Sequence, residues 1–447
     1  MKHRTRRWIA EWNPEDDAFW ARTGRPVALR NLIWSIVAEN IGFSVWMMWS
    51  VVATRLPAAG FHYTTDQLFL LVAVPGLVGS LLRLPYTFAV PRFGGRNWTV
   101  TSALLLLVPT SALSLLVTRP STPFALMLVA AATAGLGGGN FASSMTNISF
   151  FYPDREKGFA LGLNAAGGNV GVSTVQLLVP LVIGAGSVAR AGLMWMLPVA
   201  VAAFGAFAFM DNLENARSGF RDQIVVARRK HTWVVSWLYV GTFGSFVGFS
   251  AAFPLLLKTQ FPEVGAGLAF LGPLVGSLAR PAGGKLADRL GGARVTFWTF
   301  LVMGLAALSV LSALHAHAFG WFLGVFLVLF TTSGVGNGST YRMIPAIFRT
   351  EALAEAEGRG DAAVAAALAR ARREGAAVIG LSSAVGALGG FFVPQLIGTS
   401  IRATGGPAAA MGLFVAFYAT CLAMTWWHYL RTTFLARLAP SLAGADV

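Results

Sequence analysis

The chain has 447 residues, 55% hydrophobic and 12% charged, with a mean hydropathy of +0.63 and a net charge of +15. Soluble proteins carry about 25% charged residues, so a set of soluble domains of this length is excluded. The single cysteine, Cys421, excludes a disulfide framework and a cysteine-based zinc site.

In chain order, the N-terminus carries Arg4, Arg6 and Arg7, then Glu11, Glu15, Asp16 and Asp17, with no apolar stretch before Asn31. A cleavable signal is therefore not expected, and 8–20, with tryptophan at both ends, reads as an interfacial anchor. A bilayer core of about 30 Å needs roughly 20 mostly apolar residues per helix. Twelve such stretches follow, at about 31–53, 67–90, 99–117, 123–150, 157–184, 190–210, 233–257, 264–287, 295–314, 319–348, 375–401 and 407–430. Continuous apolar runs such as 103–108 and 321–330 lack the alternation of a barrel strand. Helices are the other structure that leaves no backbone amide unpaired in lipid. The expected fold is an all-α integral membrane protein. Between the tenth and eleventh spans, 350–373 reads as a solvated helix.

The charge distribution orients the spans. Of the 34 Lys and Arg residues, 26 fall on the side of the termini, and five (Arg55, Arg119, Arg190, Lys258 and Arg402) on the other. By the positive-inside rule both termini face the cytoplasm. The nucleic-acid reading of the basic excess lapses, because the bilayer accounts for it. Arg83, Arg280 and Arg342 remain inside spans.

The two halves repeat. Leu77-Val78-Gly79-Ser80-Leu81-Leu82-Arg83 aligns with Leu274-Val275-Gly276-Ser277-Leu278-Ala279-Arg280, and Arg92-Phe93-Gly94-Gly95 with Arg289-Leu290-Gly291-Gly292. Gly135, Gly137 and Gly139 answer Gly334, Gly336 and Gly338; Gly168 and Gly171 answer Gly386 and Gly389. Two pseudo-symmetric six-helix bundles, 1–218 and 219–447, are expected in parallel repeat, with a site near the midplane between them and transport by rocking. The glycines sit inside apolar spans, so they read as close helix packing and not as a nucleotide loop, which needs a strand before it.

Charged residues inside a span are costly and mark function. Arg83 and Arg280 lie at matched depth in the two halves, each about 10 Å from the cytoplasmic end at 1.5 Å per residue. Snorkelling is one reading. The repeat favours another: the two guanidinium groups face each other and need an anion between them. Glu39 is the one acid of 19 well inside a span, so the missing counter-ion is the substrate. Guanidinium presents a planar fork of donors to oxyanions. A monovalent anion leaves the pair with one excess charge and a dianion neutralises it, which does not choose the anion.

Over nearly its whole length the chain resembles the nitrate/nitrite porters of the major facilitator superfamily. The resemblance rests on Ala134-Gly135-Leu136-Gly137-Gly138-Gly139-Asn140-Phe141-Ala142-Ser143-Ser144 and Gly334-Val335-Gly336-Asn337-Gly338-Ser339, which are similar to that family's two signatures. A less specific superfamily gating motif is matched by Arg92-Phe93-Gly94-Gly95-Arg96 and Asp288-Arg289-Leu290-Gly291-Gly292. The resemblance implies nitrate and nitrite as substrates, Arg83 and Arg280 as the anion-binding pair, and Phe141 and Phe243 as rings sandwiching a flat anion. It further implies Tyr239, Asn169 and Asn140 as polar groups of the site, and Arg92, Gly94, Asp288, Arg289 and Gly291 as gating loops. No cofactor or metal, no nucleic acid and a monomer in the inner membrane are expected.

Two residues depart from the pattern. Arg342, in Thr340-Tyr341-Arg342-Met343, is either a third positive group on the exit path or a snorkelling arginine at the cytoplasmic end. Glu39 is either the titratable group of a proton-coupled nitrate symporter or a structural ion pair with Arg30 or Arg342. Exchange of nitrate for nitrite needs no titratable group, so the residues leave both modes open, with another small inorganic anion as the rival substrate. His315 and His317 lie on an outer loop with no third ligand nearby.

Overall fold

The computed structural model describes residues 7–184, 186–214, 216, 225–432, 441–443 and 447. Among these are twelve long helical segments: α1 (Asp17–Arg55), α2 (Thr65–Phe93), α3 (Gly95–Leu116), α4 (Phe124–Phe151), α5 (Asp154–Ile183), α6 (Arg190–Phe209), α7 (Lys230–Gln260), α8 (Leu271–Leu290), α9 (Gly292–His315), α10 (Phe319–Ala356), α11 (Asp361–Thr404) and α12 (Ala408–Leu430). Eleven are long and apolar enough to cross a bilayer by themselves. The exception is α8, whose 20 residues hold Arg280, Lys285, Asp288 and Arg289. It also starts at Leu271 and not near 264, because 262–270 form turns with Gly265 at φ +69°. Of these charges only Arg280 is buried against protein, while Lys285, Asp288 and Arg289 are exposed near the end of α8 at the terminal face; α8 packs on α10 and α5.

Local sequence explains the ends of α2. A capping box opens it, with Gln67 N donating to Thr64 Oγ1 at 3.2 Å and Thr64 N to Gln67 Oε1 at 2.9 Å. Gly94 closes it at φ +86°, and Gly291 closes α8 at φ +88°, a backbone that L side chains rarely adopt. The repeat seen in the sequence is thus a repeat of the same turn.

The halves meet through partner-swapped pairs: α2 lies against α11, and α5 against α8, while the outer end of α1 lies against α7. Small residues set the closeness. A Cβ on Gly76 would come within 2.4 Å of the Gly390 carbonyl carbon, so α2 and α11 touch backbone to backbone. The expected boundary at 218/219 lies outside the described residues.

Two expectations need correction. The 8–20 segment is not an interfacial anchor. Its Trp8–Ile9 strand (β1) pairs in parallel with Asn212–Leu213 (β2), and Trp12 and Trp20 are buried. Trp12 packs edge-on against Phe151 and Trp20 edge-on against Tyr152, while Trp20 donates Nε1 to Glu156 at 2.9 Å. The 350–373 stretch is not a separate loop helix either. α10 and α11 run on past the bilayer and turn back at Gly358 and Gly360, both at positive φ, with Glu355 bonded to Arg370 and Arg229. Alanines at 352, 356, 367 and 371 bury the small seam between them.

Candidate functional site

Arg83 is fully buried on α2. Its Nε donates to the carbonyl of Gly138 on α4 at 3.2 Å, and its Nη1 to the carbonyl of Ser383 on α11 at 2.9 Å. The guanidinium carbon lies 4.5 Å from the centre of the Phe141 ring and 4.9 Å from that of Phe243. Arg280, 4% exposed, donates Nη2 to the Tyr239 hydroxyl at 3.4 Å and lies 5.8 Å from the same Phe141 ring. Both arginines therefore border one aromatic ring from opposite halves. Each keeps one nitrogen, Arg83 Nη2 and Arg280 Nη1, without a protein partner. An unmet charged donor in a buried place is expensive.

The rings are set by an irregular turn. Val240–Gly244 of α7 is a π-helical segment, a feature that recurs at functional sites. It stacks Tyr239 on Phe243 at 5.2 Å, and Phe243 on Phe141 at 5.8 Å and 27°. Glycine at 244 lets this bulge press on α11, since a Cβ there would meet the Gly386 carbonyl oxygen at 2.8 Å. Asn169 on α5 is buried with both amide atoms unpartnered, and Asn140 on α4 keeps an unpartnered Oδ1.

Arg83, Arg280, Phe141, Phe243 and Tyr239 thus form one cluster. Sequence reasoning missed several of its neighbours. Trp46 lies 5.5 Å from the Arg83 guanidinium, and Tyr341 lies 5.5 Å from that of Arg280. Asn337 is fully buried with both amide atoms unpartnered. Asn337 sits in the second signature motif, so a signal for it was present; the Ser383 carbonyl carries none.

Glu39 is fully buried on α1 and pairs with neither arginine considered for it. Arg30 is taken by Asp211 at 2.5 Å, and Arg342 by Asp288 at 2.5 Å, at the face carrying the termini. Glu39 Oε2 instead accepts from Ser144 Oγ at 2.5 Å and Asn164 Nδ2 at 2.8 Å. Of the gating-loop residues, Asp288 is engaged by Arg342, while Arg92 and Arg289 are exposed, with Arg92 5.8 Å from the Phe93 ring.

Both ends of the passage between the halves are bridged. At the terminal face Arg372 meets Asp154 at 3.2 Å. At the opposite face Arg402 meets Asp66 at 3.4 Å, and Lys258 Nζ donates to the Thr54 carbonyl. Gln176 on α5 adds a bond to the Ser250 carbonyl on α7 at 2.7 Å.

Two six-helix halves closed around a buried cationic, aromatic-lined site define a membrane transporter. The family model described as the Major Facilitator Superfamily matches residues 40–371. Among known proteins the chain is 43% identical to the nitrate/nitrite transporter NarU of Escherichia coli (strain K12), over 95% of this chain and 97% of that protein. It is 36% identical to the probable nitrate/nitrite antiporter NarK2 of Thermus thermophilus, over 95% and 97% respectively. The chain belongs to the nitrate/nitrite transporter family of the major facilitator superfamily. Solved structures agree on the fold alone. The human organic anion transporter MFSD10 (TETRAN) superposes with a TM-score of 0.60 at 15% identity, covering 90% of this chain and 99% of that one. A bacterial homolog of the human lysosomal transporter Spinster gives 0.61 at 13%, covering 90% and 96%.

Proposed function

We propose that the protein carries nitrate and nitrite across the cytoplasmic membrane, exchanging nitrate inward for nitrite outward. The observation that carries this reading is the pair of buried arginines, each with one free guanidinium nitrogen, bordering the stacked rings of Phe141 and Phe243. Nitrate and nitrite are flat, weakly hydrated and monovalent. Guanidinium forks grip the edge of such an anion, and ring faces replace the water above and below it. Asn169, Asn140 and Tyr239 supply the remaining hydrogen bonds. NarU and NarK2, by their names, handle the same two anions.

In this reading 1–218 and 219–447 rock against each other around the bound anion, and Gly94 and Gly291 turn the loops that slide. The basic excess at the terminal face supports a cytoplasmic position for both termini. One chain supplies the complete site and acts as a monomer.

The test is uptake of labelled nitrate into proteoliposomes loaded with nitrite or left empty. Rapid uptake that requires internal nitrite is expected. Uptake indifferent to internal nitrite would overturn exchange, and no uptake in either case would overturn the choice of anion.

A further inference from the structure

From the arginine pair a row of buried polar groups climbs toward the face opposite the termini. α5 starts at the terminal face, and its Asn169, Ser173 and Gln176 follow the i, i+4, i+7 spacing that places residues on one side of a helix. Gln176 therefore lies about 10 Å beyond Asn169, at 1.5 Å per residue. All three are buried. A hydroxyl inside an apolar helix usually returns to a carbonyl of its own helix, as Thr174 does to Val170 at 3.0 Å and Ser44 to Asn40 at 2.9 Å. Ser173 Oγ makes no such bond, and neither does Ser250 Oγ on α7, although both are buried. Gln176 ends the row. Its Nε2 donates to the Ser250 carbonyl of the other half at 2.7 Å and to Ser50 Oγ near the far end of α1 at 3.3 Å, while Oε1 is unmet. These partners settle which way the amide points, because a reversed amide would set oxygen against the Ser250 carbonyl. Further along α7, Lys258 donates to the Thr54 carbonyl of α1, with Arg55 within electrostatic reach. The row thus runs from the two buried arginines to two cations at the mouth.

We infer that Gln176 is the gate of the route between the site and the face opposite the termini: closed, its amide ties α5 to α7, and open, the same Nε2 donates to the passing anion. The inference rests on the anion reading of the arginine pair. The bond to Ser250 joins the two halves, so it breaks when they part at this face. The freed N–H then needs another acceptor, and an oxygen of nitrate or nitrite is a stronger one than a neutral carbonyl. An arriving anion therefore favours the open latch. Once the anion has moved on to the arginines, the amide returns to Ser250 and closes behind it. Ser173 Oγ, a further donor without a protein partner, lies between the gate and Asn169. A purely structural Gln176 would account for its two bonds but not for the unmet groups along the row.

The test uses the full-length protein and two variants. Gln176→Leu keeps the bulk and loses the amide, whereas Gln176→Asn keeps the amide on a stem too short to span to α7. Spin-label distances between cysteines placed at the exposed Ala58 and Ala403 read opening at the face opposite the termini. Exchange in nitrite-loaded proteoliposomes gives kcat, and KM for nitrate added at that face. Both variants should raise the open population about two- to tenfold, the range for one neutral hydrogen bond. Gln176→Asn should leave KM unchanged or lower, because the donor remains. Gln176→Leu should raise KM about two- to tenfold, although more of the protein is open. Populations that move in neither variant would overturn the latch. A KM in Gln176→Leu that matches Gln176→Asn would overturn the donor role. Lower thermal stability with populations and KM unchanged would make Gln176 structural and overturn both. A wild-type protein that does not exchange nitrate fells the anion reading and the donor role with it, while the distances, which need no substrate, still decide the latch.

Discussion

Arg83 on α2 donates through Nη1 to the carbonyl of Ser383 on α11 at 2.9 Å, so a charged group of one half is tied to the backbone of the other. The same guanidinium donates Nε to Gly138 at 3.2 Å within its own half. One side chain therefore joins both halves, and its Nη2 has no protein partner. The bond to Ser383 has to break when the halves part, and an anion held by both arginines ties them across the same gap.

Arg83→Lys keeps the charge and loses the fork. An ammonium cannot reach Gly138, Ser383 and an anion along three fixed directions. Each charge-assisted hydrogen bond contributes about 1.5–3 kcal/mol, so exchange should fall on the order of a hundredfold in proteoliposomes with the protein still folded. Arg83→Ala and Arg280→Ala should each abolish it. Normal exchange in any of the three would remove the arginines from the site.

Much of this arrangement was legible in the sequence, for physical reasons. Arg83 and Arg280 stood out because charge in an apolar span is costly and because the repeat placed them at equal depth. The helices were legible from apolar runs, and Gly94 and Gly291 from matched loops. What was not legible depended on tertiary contact or on backbone. The Ser383 carbonyl lies 300 positions from Arg83 and has no sequence signature. The π-helical turn at Val240–Gly244 was hidden in a continuous apolar stretch. Glu39 was visible as a buried acid, but its partners Ser144 and Asn164 come from two other helices, and pattern offered Arg30 and Arg342 instead. The late start of α8 followed from Gly265 adopting positive φ, a choice that hydropathy does not record.

Phe141 faces both guanidinium groups, at 4.5 and 5.8 Å. Phe141→Leu retains apolar volume and removes the ring face from both. Desolvated cation–π contacts are worth roughly 2 kcal/mol, so nitrate affinity should drop by about tenfold or more, with a smaller change in Phe243→Leu, whose ring lies near Arg83. Calorimetric titration checks both. Equal, negligible losses would show that the rings only fill space.

Gly76 tests the hinge surface separately from the anion. A Cβ there would come within 2.4 Å of Gly390 and 2.8 Å of the Phe391 nitrogen, both backbone and unable to move aside as a side chain would. Gly76→Ala should keep α2 and α11 from closing at the face opposite the termini. Nitrate binding should persist while exchange turnover falls at least tenfold. A variant that binds and exchanges normally would show that the α2–α11 contact is not part of the moving surface.

The two closed ends are not equally held. At the face opposite the termini, closure combines the Gly76–Gly390 backbone contact, Lys258 on the Thr54 carbonyl and Arg402 on Asp66. At the terminal face, among the described residues, the ion pair spanning the halves is Asp154–Arg372, whose side chains are 42% and 75% exposed. Exposed pairs contribute about 0–1 kcal/mol, so this end is the weaker latch. Asp154→Asn should raise the population open at the terminal face by roughly two- to fivefold, read as spin-label distances between cysteines placed at Gly158 and Arg373. At about 1 M salt the screening length shrinks to about 3 Å, and the wild-type protein should then show the same opening as the variant. A shift well beyond tenfold, or one that persists unchanged at high salt, would mean that contacts other than this pair hold the terminal face closed.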